Sequence, residues 1–149
     1  MLITYLTYDY EVTCFEKRCV LGSIDLVKKL FPEKEIELYK DKDEGRSFLC
    51  ATENFQKKAR HFFWPNQLHA DTLLGLIEKK SWWKPDPHIN IFITSKTLKK
   101  AWRTCDFFSR GNTLIISMSR FRKLCFADRK EAIEMCLLRE LKHILDEKK

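Results

Sequence analysis

Near its end the chain reads Arg139-Glu140-Leu141-Lys142-His143, which sets a glutamate and a histidine in Glu-x-x-His spacing. On a helix, residues four apart share a face. Two histidines so spaced, with a glutamate directly after the first, can hold zinc while the glutamate polarises the metal-bound water. Here Arg139 stands where the first histidine would be. A guanidinium is permanently cationic and offers no lone pair to a metal. The stretch therefore has two readings: a zinc site that has lost a ligand, or a charged helix. On the second, Glu140 is an ion-pair partner for a nearby basic side chain. His143 is then a surface or half-buried imidazole near a helix C-terminus, where its cationic form is favoured.

Other candidate ligands are scattered. His61 and His69 flank the approach to a helical segment, and His88 precedes a strand-like run. Cysteines stand at 14, 19, 50, 105, 125 and 136, with no CxxC pair. The single Cys14-x4-Cys19 spacing falls short of the four ligands a structural zinc needs. Reduced, buried thiols are the expectation.

The net charge is +7, and much of it sits in one stretch. Lys96, Lys99, Lys100, Arg103, Arg110, Arg120, Arg122, Lys123, Arg129 and Lys130 are opposed there only by Asp106 and Asp128. Such an excess either is a solvated surface or attracts polyanions. Aromatic residues interleave with it at Trp102, Phe107 and Phe108, a combination that suits single-stranded nucleic acid. Trp82 and Trp83 sit in a Pro-containing break, where at least one is expected to be exposed.

These groups need a frame. A chain of 149 residues, 44% apolar and 33% charged, reads as one globular domain over residues 1–149 with a full core. No apolar run reaches the roughly 18 residues that would span a bilayer. The opening MLITYLTYDYE has no basic region or cleavage site, so a cytoplasmic protein without membrane partners is expected. Residues 2–8 alternate as a first strand. Residues 20–31 carry helical spacing that Pro32 stops. Residues 35–39 read as a second strand and 41–46 as a polar loop. Residues 66–80 read as a helix capped by Asn66. The nearly continuous apolar runs at 89–94 and 113–118 read as central strands buried on both faces. Residues 105–108 are a candidate edge strand, and a last helix covers about 127–145. Strand, helix, strand implies parallel pairing through a crossover.

This order resembles the archaemetzincins, small zinc-dependent metalloprotease-like proteins. The opening strand and helix match. Gln67, Leu68, Ala70, Leu73 and Leu74 are similar to the family's lead into a Leu-rich helix. Ser117, Ser119, Arg120 and Phe121 resemble its Ser-x-Arg-Leu-like turn after a strand. EAIEMCLLRELKHIL stands where the family reads HELGH. The resemblance implies a three-layer α/β/α domain with a mixed, mostly parallel sheet, like the N-terminal half of metzincins. It also puts Glu140 at the general-base position, His143 at the second ligand, Asp146 at a turning glycine and Lys149 at the third histidine. Two of three ligand positions are then cations, Arg139 and Lys149. The chain ends at Lys149, so the family's Met-turn and Cys-rich second zinc site are expected to be absent.

The expectation is a proteolytically inactive relative with no cofactor. It would bind a peptide or protein ligand in the former cleft between the edge strand and the last helix. Two alternatives stand beside it: a basic module binding nucleic acid through the Lys96–Lys123 stretch, and a zinc protease with non-standard ligands.

Overall fold

The computed structural model describes residues 3–8, 11–39, 57–60 and 67–147. The main sheet has the strand order β2-β1-β4-β8-β7, formed by β1 (Ile3–Tyr8), β2 (Glu37–Tyr39), β4 (Ile89–Thr94), β7 (Phe107–Arg110) and β8 (Thr113–Ser117). The β2, β1, β4 and β8 pairings are parallel, and β7 is an antiparallel edge strand. A smaller sheet, β3-β5-β6, is built from β3 (Gln67–His69), β5 (Thr97–Lys100) and β6 (Arg103–Cys105).

Both central strands are buried along their whole length, so their side chains feed two cores by alternation. Ile89, Ile91 and Ile93 of β4, with Leu114 and Ile116 of β8, point to one face. There α1 (Cys14–Leu30) and α3 (Phe126–Glu147) cover them. Val20, Ile24 and Val27 of α1 meet Ile133, Leu137, Leu141 and Ile144 of α3 in that core, at the three- and four-residue spacing of helix stripes. Phe92 and Ile115 point the other way, to Leu73, Leu74 and Ile77 of α2 (Ala70–Glu78) and Leu98 of the small sheet. The result is the expected α/β/α layering and mostly parallel mixed sheet, with the small sheet added beside α2.

Several boundaries differ from the sequence expectations. Helix α1 begins at Cys14 rather than residue 20, because Thr13 and Glu16 close a reciprocal capping box that satisfies two otherwise unpaired amides. Helix α2 begins at Ala70, not residue 66. Gln67–His69 is a strand paired in parallel with Thr97–Lys99, and His69 stands at the N-cap; Asn66, the expected cap, lies outside the described residues. The second strand starts at Glu37, because Glu35 has φ 48 and ends a short 3-10 turn.

The expected edge strand at 105–108 is split. Cys105 pairs with Leu98 in the small sheet, while Phe107 opens β7 in the main one. The polar loop expected at 41–46 lies outside the described residues. The β7–β8 hairpin turns through Gly111 and Asn112, with Gly111 at φ +61, the backbone region that two-residue hairpins demand and glycine adopts freely.

Trp82 is 4% exposed and stacks on Phe92 with centroids 6.2 Å apart. Trp83 is half-buried, its indole donating to Thr113 Oγ1 at 2.8 Å. Neither is exposed; among the described tryptophans Trp102, at the β5–β6 turn, is, at 65%. Cys14 and Cys125 are exposed rather than buried, because they stand at the starts of α1 and α3, outside the stripes that face the core. The five described cysteines are all free. Among the described residues no helix is long and apolar enough to cross a membrane.

Candidate functional site

The stretch that opened the question lies in the last turns of α3. Cys136, Leu137, Glu140, Leu141 and Ile144 are buried, while Arg139, Lys142, His143 and Asp146 are exposed. Arg139 and His143, four residues apart, therefore share the wet flank, and Glu140 lies on the dry side. Arg139 folds back on its neighbour: Nε donates to Glu140 Oε1 at 3.1 Å. The same guanidinium sits over the ring of Phe107, 5.3 Å from the centroid. Phe107 is the first residue of edge strand β7 and packs into the α1–α3 core. One arginine thus ties the last helix to the edge of the sheet.

Cys136, one turn before Glu140, has its thiol pushed up to about 11, chiefly by burial. Arg139 opposes that shift, while Glu140 and Asp106 reinforce it. Asp106 precedes Phe107 and faces Arg120, with Nε to Oδ1 at 3.4 Å. Its main-chain carbonyl accepts from the Ser117 amide at 2.8 Å. The turn after β8 is latched by hydroxyls. Ser117 Oγ donates to the Lys96 carbonyl at 2.7 Å, and Thr97 Oγ1 and Ser119 Oγ share a hydrogen bond of 2.7 Å. The serines of the Ser-x-Ser-Arg motif therefore tie the end of β8 and the turn after it to the start of β5.

Zinc does not fit this donor set. The first ligand position is a guanidinium, and Glu140 is occupied by that same guanidinium. Lys149, at the third position, lies outside the described residues. Among the described residues no three His, Cys, Asp or Glu side chains gather closely enough to hold a metal ion. Of the other histidines, the described ones, His69 and His88, do not join such a group. His69 Nδ1 lies 3.3 Å from Thr72 Oγ1 at the start of α2. His88 Nδ1 lies 3.2 Å from the Pro85 carbonyl. His61 is outside the described residues.

The basic stretch is not one surface. Arg122 makes two hydrogen bonds to the buried Glu16 carboxylate, at 2.9 and 2.8 Å, and a third to the Glu11 carbonyl. Lys96 pairs with Glu11 at 3.2 Å and Arg110 with Glu78 at 3.1 Å. Arg129 donates to the carbonyls of Phe121, Arg122 and Leu124, binding the turn before α3 to the helix. Lys99, Lys100 and Arg103 lie together in the β5–β6 hairpin, Lys100 over the Phe108 ring at 5.3 Å. Lys123 is exposed in the 3-10 turn before α3.

The sequence reading missed Phe107 as a platform and Glu16 as a buried anchor. Glu16 carried a signal, the Thr-x-x-Glu spacing of a capping box. Phe107 carried none, since its partner comes from another element.

A four-stranded parallel sheet with an antiparallel edge strand, and a long last helix packed on one face, make up the α/β architecture. The archaemetzincin from Methanopyrus kandleri shares it, with a TM-score of 0.61 at 17% identity over 97% of this chain and 72% of that one. A zinc-dependent peptidase from Methanocorpusculum labreanum aligns with a TM-score of 0.49 at 10% identity, over 95% of this chain and 80% of that one. No family model and no curated protein matches the sequence. The fold is archaemetzincin-like.

Proposed function

We propose that this chain is a proteolytically inactive archaemetzincin-like domain that binds a peptide or protein ligand along the junction of α3 and β7. The observation that carries the reading is the Arg139–Glu140 pair, 3.1 Å apart. A catalytic zinc takes three protein ligands and an open position, and water activation depends on its Lewis acidity. Here a cation with no lone pair stands at the first ligand position and engages the carboxylate that would have been the general base. The edge strand and helix that frame the junction are intact. The test is metal analysis of the native protein after dialysis, with a casein and peptide cleavage assay. No stoichiometric zinc and no cleavage are expected. About one zinc per chain, with cleavage abolished by a chelator, would favour a protease with non-standard ligands instead.

A second reading, polyanion binding, has one observation in its favour: Lys100, Trp102 and Arg103 are exposed together at the β5–β6 turn. It predicts binding of a single-stranded oligonucleotide that weakens steeply with salt and falls on charge reversal at Lys99, Lys100 and Arg103.

A further inference from the structure

Arg139 is held in a particular way. Its Nε is engaged by Glu140, whose side chain is only 9% exposed, while the Arg139 side chain itself is 68% exposed. Its guanidinium lies over the Phe107 ring. Among the described residues its terminal nitrogens make no hydrogen bond to an oxygen. A planar group held by Glu140 and the Cys136 thiol and supported on a ring keeps its remaining N–H groups in one plane as a preset fork. That fork matches the two oxygens of a carboxylate, and the fixed side chain loses little entropy on engaging them.

The position of the fork narrows the ligand. Strand β7 ends the main sheet and pairs only with β8 among the described strands, so its outer edge can take an extended chain. Arg139 sits at the Phe107 end of that edge. Beyond Phe107 the edge stops, because Cys105 pairs with Leu98 in the other sheet. A peptide lying along β7 runs out of main-chain partners just where the guanidinium waits.

We propose that the junction of α3 and β7 is a receptor for the C-terminal carboxylate of an extended peptide, with Arg139 as its anchor, Glu140 and Phe107 positioning it. The cation that replaces a metal ligand then has a recognition role: it takes the charged end of a chain instead of a bond to be cut. The inference rests on the binding role proposed above, and the experiment separates the two.

Two pools of fluorescein-labelled random hexapeptides lacking Asp and Glu are prepared, one ending in a free carboxylate and one in a carboxamide. A third pool is amidated and carries one internal Glu. Binding to the full chain is followed by fluorescence polarisation. The free-acid pool is expected to bind wild type about tenfold more tightly than the amide pool, the worth of one charge-assisted bidentate contact. Arg139→Gln should abolish that preference. Arg139→Lys should lose most of it, since the charge stays but the fork goes. Lys142→Gln, one turn away and exposed, should leave it unchanged. Equal binding of acid and amide pools overturns the anchor and leaves the binding role standing. An internal-Glu pool that binds as well as the free-acid pool overturns the assignment to a C-terminus. No binding of any pool overturns both.

Discussion

Arg122 and Glu16, 106 residues apart in sequence, meet in two hydrogen bonds of 2.9 and 2.8 Å, with the Glu16 side chain fully buried. The same carboxylate accepts from the Thr13 amide at 2.9 Å. It thereby caps α1 and ties that helix to the turn that launches α3. Removing Arg122 leaves a buried charge without its partner, which costs about 3 kcal/mol. Arg122→Met is expected to lower the urea midpoint by that amount of stability, whereas Lys123→Met, at an exposed neighbour, should change it little.

The same pair sets an acid limit. Burial raises the Glu16 carboxyl, but the hydrogen bonds from Arg122 and Thr13 outweigh it, and the net position is below the ordinary 4.5. A carboxyl whose folded value is depressed stabilises the fold fully above its unfolded value. That stability is lost as pH falls through the folded one. Chemical denaturation should therefore give a midpoint that is flat from about pH 7 to about pH 5 and falls below about pH 4. In Arg122→Met the acid-side fall should be shallower.

Thiol reactivity should follow position. Cys14 and Cys125 are exposed, while Cys19 and Cys136 are buried with their thiols raised, chiefly by burial. Brief treatment of the native protein with iodoacetamide, then peptide mapping by mass spectrometry, should find Cys14 and Cys125 modified and Cys19 and Cys136 protected until denaturant is added. Early labelling of Cys136 would contradict the packing of α3.

The core on the α2 side hangs on Phe92, 1% exposed and stacked against Trp82. Phe92→Ala should cost about 3–5 kcal/mol and shift tryptophan emission to the red as water reaches Trp82. Ile93→Val, a smaller deletion into the opposite core, should cost about 1 kcal/mol with no such shift.

Restoring the first ligand tests the reading of the last helix. Arg139→His places an imidazole four residues from His143 on the exposed flank and frees Glu140. Two imidazoles at that spacing hold zinc weakly. Titration against a chromophoric chelator should find weak uptake in the variant, and peptide cleavage should be absent. Adding Asp146→Gly and Lys149→His is the smallest further change that could supply a third ligand. If the single variant binds zinc as tightly as the triple, the metzincin geometry does not apply to this helix.

The large elements were legible because each carries its own periodicity. Ile89–Thr94 and Thr113–Ser117 are apolar runs that only a two-sided sheet buries, and α3 repeats its apolar stripe over its length. The small sheet was not legible. Thr97-Leu98-Lys99-Lys100 offers one apolar residue, so it shows no alternation, and its pairing with Gln67–His69 is fixed by distant contacts. Gln67 and Leu68 fall into the helix pattern because the apolar Leu68 stands just ahead of the Leu73, Leu76 and Ile77 stripe. At the candidate site, the neighbours Arg139 and Glu140 could be read as cation and carboxylate in place of ligand and base. That Phe107 lies beneath Arg139 could not, since the contact exists only once α3 crosses the sheet edge.

The packing of α1 against α3 also bears on how the chain comes off the ribosome. Helix α1 is made well before the helix that covers its apolar face. Val20, Ile24 and Val27 wait for α3 to emerge, and Glu16 waits for Arg122. Two helices so far apart in sequence that cover each other raise the contact order and close late. Until the later helix emerges, the earlier one shows bare apolar surface.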